Sequence, residues 1–204
     1  MTPSPRFPPL AGRDKILDAS VPLFAAKGFE GVSMREVATA VGMTPAALYY
    51  HFPDKEQLYL ALIAQVFNER LPPLIAQMAG EGEPGRRLEG LVHGLVRLVH
   101  AEPTLVRLGQ WIMLDADPAR TRQLAENVFR PFLEAVTSLA ADLDDGFDPH
   151  RLGVSVLALL LFPAQSAAVM SHLPGIQQPA DDPDALARHI VHLLQRGISA
   201  GGAR

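Results

Sequence analysis

At 204 residues and 48% hydrophobic side chains, the chain is long enough to bury a substantial core and suits one small domain joined to a larger one. It contains no cysteine, which excludes disulfides and thiolate metal sites; with no charged-then-apolar leader, it is expected to be a cytoplasmic protein that needs no cofactor. The net charge of −4 excludes a broad basic surface, yet residues 1–56 balance six cations (Arg6, Arg13, Lys15, Lys27, Arg35, Lys55) against six carboxylates and hold every lysine of the chain.

Residues 1–12, MTPSPRFPPLAG, carry four prolines and read as an arm without regular structure. Arg6 gives that arm a group able to enter a minor groove, and a plain tail fits the same composition. The first strong local signal is Ser33 with Glu36, a reciprocal cap in which each side chain satisfies the other residue's backbone amide. Val37, Ala38 and Val41 follow at helical spacing, and Gly42 supplies a residue able to turn left-handed. Thr44 then caps a second helix with Pro45 in its first turn. Two short helices joined by so tight a glycine turn must cross, which is the helix-turn-helix arrangement that places its second helix in the major groove of DNA.

On that second helix Leu48 and Phe52 share one face as core anchors, leaving Tyr49, Tyr50 and His51 directed outward. The helix has no Asn or Arg, the side chains that read base edges best, so much of its contact is expected to fix phosphates. Asp54 and Gln57 begin the next helix and put Lys55 in its first turn. The candidate DNA-contacting set is therefore Ser33, Arg35, Thr44, Pro45, Ala46, Tyr49, Tyr50, His51 and Lys55. Tyr49, Tyr50 and Lys55 are assigned chiefly to phosphates, and Thr44, Arg35 and Ala46 to base selectivity. A surface helix pair with two half-buried tyrosines is the alternative reading of the same spacing.

The stretch from Arg13 to about Leu62 resembles the DNA-binding domain of the tetracycline-repressor (TetR) family. The resemblance rests on an apolar Ile16 to Phe24 helix, the Gly28-Phe29 stop, Ser33 with Glu36-Val37-Ala38, Val41-Gly42, and the run from Thr44 to Phe52 followed by Lys55. Pro53 departs from the pattern, which more often has a polar or basic residue there, so a phosphate contact is lost. The resemblance implies an all-helical homodimer whose divergent C-terminal domain binds a small molecule. It divides the chain into the arm 1–12, a helix-turn-helix domain 13–56 and a ligand-binding and dimerisation domain 57–204.

Beyond Lys55, helices are predicted over Leu58 to about Leu71, a shorter segment to Met78, then Arg87 to Ala101, Leu105 to Leu114, Ala119 to Leu143, Arg151 to about Leu173 and Ala185 to Ile198, about nine in all. Pro72-Pro73 is expected to end or kink the first of these, and Asp117, Asp148 and Asp182, each followed by proline, to cap the later ones. The Val154 to Met170 stretch is apolar nearly all round and must be covered on several sides. It is shorter than a membrane span of about 18 residues and is interrupted by Pro163, Gln165 and Ser166, so burial within the subunit and against a second copy is expected, without a membrane. Leu159, Phe162, Ala167 and Leu193 are the candidate dimer residues.

A pocket between the C-terminal helices would use Gln110, Trp111, Phe129, Phe132 and Met170, residues that also fit plain core packing. His93 and His100 are about 10.5 Å apart along a helix, too far for one metal, and His189 with His192 lacks a third ligand nearby. No phosphate loop, nucleophile elbow or metal-binding His-Glu pair is present, so no enzyme activity is expected. The sequence thus points to a ligand-responsive DNA-binding regulator, a repressor released from a pseudo-palindromic operator by a small apolar or amphipathic effector. A helical interaction module, or a helical enzyme without DNA binding, is the alternative.

Overall fold

The computed structural model describes residues 12–143, 146, 148–174 and 182–201, the last five by their backbone alone. Three helices lead: α1 (Arg13–Lys27) and the short α2 (Met34–Val41) and α3 (Pro45–His51). The connecting helix α4 (Lys55–Asn68) follows, then α5 (Leu71–Ala79), α6 (Pro84–Ala101), α7 (Pro103–Met113), α8 (Pro118–Leu124), α9 (Arg130–Asp142), α10 (Pro149–Met170) and α11 (Pro183–Gly201). Among the described residues there is no strand, as the all-α expectation required. The proline-rich arm, Arg6 included, lies outside them.

Proline punctuates this chain at helix starts. Pro45, Pro72, Pro84, Pro103, Pro118 and Pro149 each stand in a first turn, where the missing N–H would have had no partner. This corrects the expected role of Pro72-Pro73: α4 has already ended at Asn68, and the prolines open α5. The Ala119–Leu143 helix is also interrupted. Pro131 cannot donate, and the backbone absorbs the mismatch as a π-helical turn over Ala125–Phe129 between α8 and α9. The three aspartate caps form as expected, Asp117 accepting from Ala119 and Arg120, Asp148 from Arg151 and Asp182 from Ala185.

Helix α4 joins the two ends of the molecule because apolar residues occupy more than one of its faces. Near its start Tyr59 is buried against the rings of Phe24 and Phe29, with centroids 5.1 and 5.2 Å away; near its end Phe67 meets Phe129 edge-on at 4.9 Å. Leu58, Leu62 and Ile63 between them are fully buried, each contributing on the order of 1.5–3 kcal/mol. Helices α5, α6, α9, α10 and α11 pack against one another beyond it.

Helix α10 is longer than its apolar stretch suggested. By length and composition it is able to cross a membrane, yet it lies along α6, α7, α9 and α11 through Leu152, Val156 and Leu160. Its outer side stays bare, with Val154 and Phe162 each 60% exposed and Val169 66%.

Candidate nucleic-acid interface and effector clefts

The recognition end is built from caps. Ser33 Oγ accepts from the Glu36 amide at 3.2 Å while Glu36 Oε2 accepts from the Ser33 amide at 2.8 Å. Lys27 Nζ adds a bond to Glu36 Oε1 at 2.7 Å, latching α1 to α2. Donation by Lys27, then by the Ser33 backbone and hydroxyl, holds the Glu36 carboxyl down at about 2. At the other end of α2, Gly42 turns left-handed at φ 76°, its amide donating to Thr39 O and that of Met43 to Ala38 O. Thr44 Oγ1 accepts from the Ala47 amide at 3.2 Å and starts α3 at once. The crossing of α2 and α3 is thus set by backbone bonds, with Leu48 and Phe52 buried beneath as anchors.

The opposite side of α3 is exposed. Tyr49 is 50% and Tyr50 82% accessible, large rings that no neighbouring helix covers, and Pro45, Ala46, Thr44, Ser33 and Arg35 are exposed around them. Two members of the candidate set are placed differently. His51 is half-buried beside the Tyr50 ring at 5.6 Å, its Nε2 enclosed without a hydrogen-bond partner among the described residues. Lys55 does not project outward: its ammonium donates to the Phe29 carbonyl at 2.9 Å and lies 4.2 Å from the Phe29 ring centroid. The geometry thus engages Lys55 with Phe29 in the fold, a contact that its expected role as a phosphate group did not include.

Two findings now bear on family. A model of bacterial regulatory proteins of the tetR family matches residues 16–62. A negative transcriptional regulator of helix-turn-helix type, IcaR of the biofilm operon icaADBC in Staphylococcus epidermidis, is 36% identical over 143 residues, which is 70% of this chain and 72% of that protein. The chain belongs to the TetR family. It is a helix-turn-helix transcriptional regulator. Two solved structures share the whole TetR-family fold at low identity. The transcriptional regulator FadR of Bacillus subtilis, in complex with stearoyl-CoA, has a TM-score of 0.72 and 12% identity, with 87% of this chain and 97% of that one covered. AibR, in complex with isovaleryl coenzyme A and operator DNA, has a TM-score of 0.68 and 20% identity, covering 89% and 96%.

In this TetR-family chain the recognition end is fastened to the C-terminal helices at Gly28-Phe29. Gly28 has a positive φ of 66°, and a Cβ there would come within 2.7 Å of the Trp111 ring, so the indole of α7 lies directly on this backbone. Trp111 Nε1 donates to the Ala25 carbonyl at the end of α1, at 3.1 Å. Arg120 of α8 covers the Phe29 ring at 3.8 Å and is held by Asp115 through bonds of 2.5 and 2.6 Å. Both side chains of that pair are almost fully buried; Arg120 pulls the Asp115 carboxyl below its usual range, and Asp115 raises the Arg120 guanidinium. The neighbouring Tyr59 hydroxyl is pushed up to about 12, by burial first and by the Asp115 charge second. The sequence reading missed Asp115, Arg120 and Lys55 as a junction, and Gly28-Phe29 was the available signal, a glycine stop followed by an aromatic.

Two adjoining clefts lie beside α7. One of about 490 Å³ is lined by Ala25, Ala26, Arg107, Gln110, Trp111 and Gln165, among others. The second, about 300 Å³, lies among α6, α7, α10 and α11 and is more apolar. Gln110 lines both and Trp111 the first, but Phe129, Phe132 and Met170 line neither. Phe129 is taken up by Phe67, Phe132 is buried in the core, and Met170 is in the last turn of α10. Of the dimer candidates, Phe162 and Leu193 are exposed and Leu159 is half-buried, whereas Ala167 turns into the second cleft. Arg107 was missed, although its position three residues before Gln110 places both on one face of α7.

Proposed function

We propose that this TetR-family regulator is a cytoplasmic homodimeric repressor released from a pseudo-palindromic operator by a small apolar or amphipathic effector, and that it is not an enzyme. The observation that carries the reading is α3: capped at its start, anchored by two buried residues, and otherwise left bare with Tyr49 and Tyr50 outward. Ser33, Arg35, Thr44, Pro45 and Ala46 complete the contact surface, and His51 supports Tyr50 from beneath. Residues 13–56 form the reading domain and 57–204 the effector and dimer domain, with α4 passing between them.

The exposed apolar side of α10, with Leu193 of α11, supports pairing with a second copy rather than with lipid, because the opposite side of the same helix is committed to the protein core. Two recognition helices then meet successive major grooves about 34 Å apart. Effector binding shifts the population of C-terminal arrangements, and the Trp111 and Phe29 attachments carry the shift to α1. The stearoyl-CoA and isovaleryl coenzyme A complexes of the neighbours are in keeping with an amphipathic effector.

Fluorescence anisotropy on DNA from the region upstream of the protein's own gene tests the first part. Specific binding that weakens steeply with salt is expected, and indifference to DNA at low and moderate salt rejects the reading. Mass spectrometry of molecules that co-purify with the protein, followed by their addition to the operator complex, tests release. An effector that saturates the protein yet leaves operator affinity unchanged rejects the coupling.

A further inference from the structure

The two clefts share Arg107, Gln110 and Gln165, and where they adjoin Gln110 Nε2 of α7 donates to the Gln165 backbone oxygen of α10 at 3.1 Å. On one side of that bond are Val96, Val99, Val106, Leu160 and Leu186, an apolar trough with His100 at its rim. On the other are Trp111 and the end of α1 at Ala25 and Ala26. Among the described residues no carboxylate lines either cleft, and Arg107, common to both, is exposed without an ion-pair partner. A cation at the mouth of an apolar trough, with no counter-ion in the lining, suits a ligand that brings its own negative charge.

We infer that the effector is an alkyl chain with an anionic head, the chain lying in the apolar trough and the head in the first cleft between Arg107 and the end of α1. This rests on the ligand-responsive reading above and names the ligand class and its placement. The head replaces the Gln110–Gln165 bond and stands beside Trp111, whose indole N–H is the tie to the Ala25 carbonyl. The ligand therefore touches the DNA-binding domain itself, and its charge falls where α7 and α1 are joined.

Decanoate and decanol are the probes, with calorimetry for binding and the emission of Trp111, the only tryptophan, for placement. Decanoate is expected to bind saturably and to change Trp111 emission, and decanol to bind about tenfold more weakly or worse, the loss of one charge-assisted hydrogen bond. Arg107→Gln should bring decanoate down to the decanol level, and Arg107→Lys should recover most of the difference. Decanoate binding with unchanged Trp111 emission overturns the placement, and equal affinity for the two probes overturns the anionic head. The probe comparison on the unmodified protein decides the head group even if both variants fail to fold. Failure of decanoate to bind overturns the ligand class. Operator release by a co-purified molecule, measured separately by anisotropy, would leave the ligand-responsive reading standing in each of these cases.

Discussion

The recognition end and the α7–α11 half solve opposite problems. In α2 and α3 the backbone is fixed by local bonds within a few residues of each other: Ser33 with Glu36, Gly42 with Thr39, Thr44 with Ala47. Their outer faces are free because little tertiary packing is needed to hold them. In α7, α10 and α11 the helices are placed by long-range contacts, such as Trp111 on Ala25 and Arg97 on Asp184, and what is left open is the space between them. The difference teaches that a surface which must meet DNA in a defined pose is stiffened locally, whereas a region that responds to a ligand is held by contacts that can be exchanged. The junction at Gly28-Phe29 is where the two regimes meet.

That comparison can be broken most forcefully at the junction. Arg120→Ala leaves the Asp115 carboxylate buried without its partner and uncovers the Phe29 ring, so a loss of about 3–5 kcal/mol is expected in urea unfolding. A loss below about 1 kcal/mol would mean that the recognition end does not depend on this attachment. Alkali probes the same place through Tyr59. Its folded-state value of about 12 lies above the ordinary tyrosine value of 10.0, so its contribution is whole below pH 10 and is lost as pH rises through the folded value. Unfolding free energy should fall by roughly 2–3 kcal/mol between pH 10 and 12, and Tyr59→Phe should remove that portion of the decline.

Smaller effects separate the outer face of α3 from its supports. Tyr50→Ala should weaken operator binding about tenfold with the melting temperature unchanged, and Lys55→Ala should lower stability by about 1 kcal/mol through the lost bond to Phe29. The opposite pattern, a stable Lys55 variant with poor DNA binding, would return that lysine to the phosphate-contacting set. The slightest effect belongs to Glu36. Held at about 2 against an ordinary glutamate value of 4.5, it contributes stability above pH 4.5 that is lost as pH falls through the folded value. Because the latch is solvent-exposed, hydrogen exchange of the Ser33 and Glu36 amides between pH 5 and pH 3 is the sensitive readout, with faster opening expected after correction for intrinsic exchange.

Several features were legible in the sequence because their causes are local. The Ser33 and Thr44 caps, the turn at Gly42, the anchors Leu48 and Phe52, and the caps at Asp117, Asp148 and Asp182 each depend on residues within one turn of one another. The π-helical turn before Pro131 was overlooked although its cause was in view, since a proline that cannot open a new helix after a loop must disturb the one it interrupts. Phe129 and Phe132 could not be told apart from pocket residues, because an aromatic reads the same in a sequence whether it meets Phe67 or an empty cleft.

By itself the sequence determined the helix-turn-helix, the outward tyrosines and the membership of a regulatory family, because capping, turn chemistry and helical spacing act over a few residues. Tertiary structure alone decided that Lys55 folds back onto Phe29, that Arg120, held by Asp115, closes over that ring from 91 positions further along, and that Arg107 faces a cleft with no counter-charge among the described residues. Those outcomes depend on which helices meet. Burial and charge pairing at long range depend on the assembled packing, which no local pattern encodes.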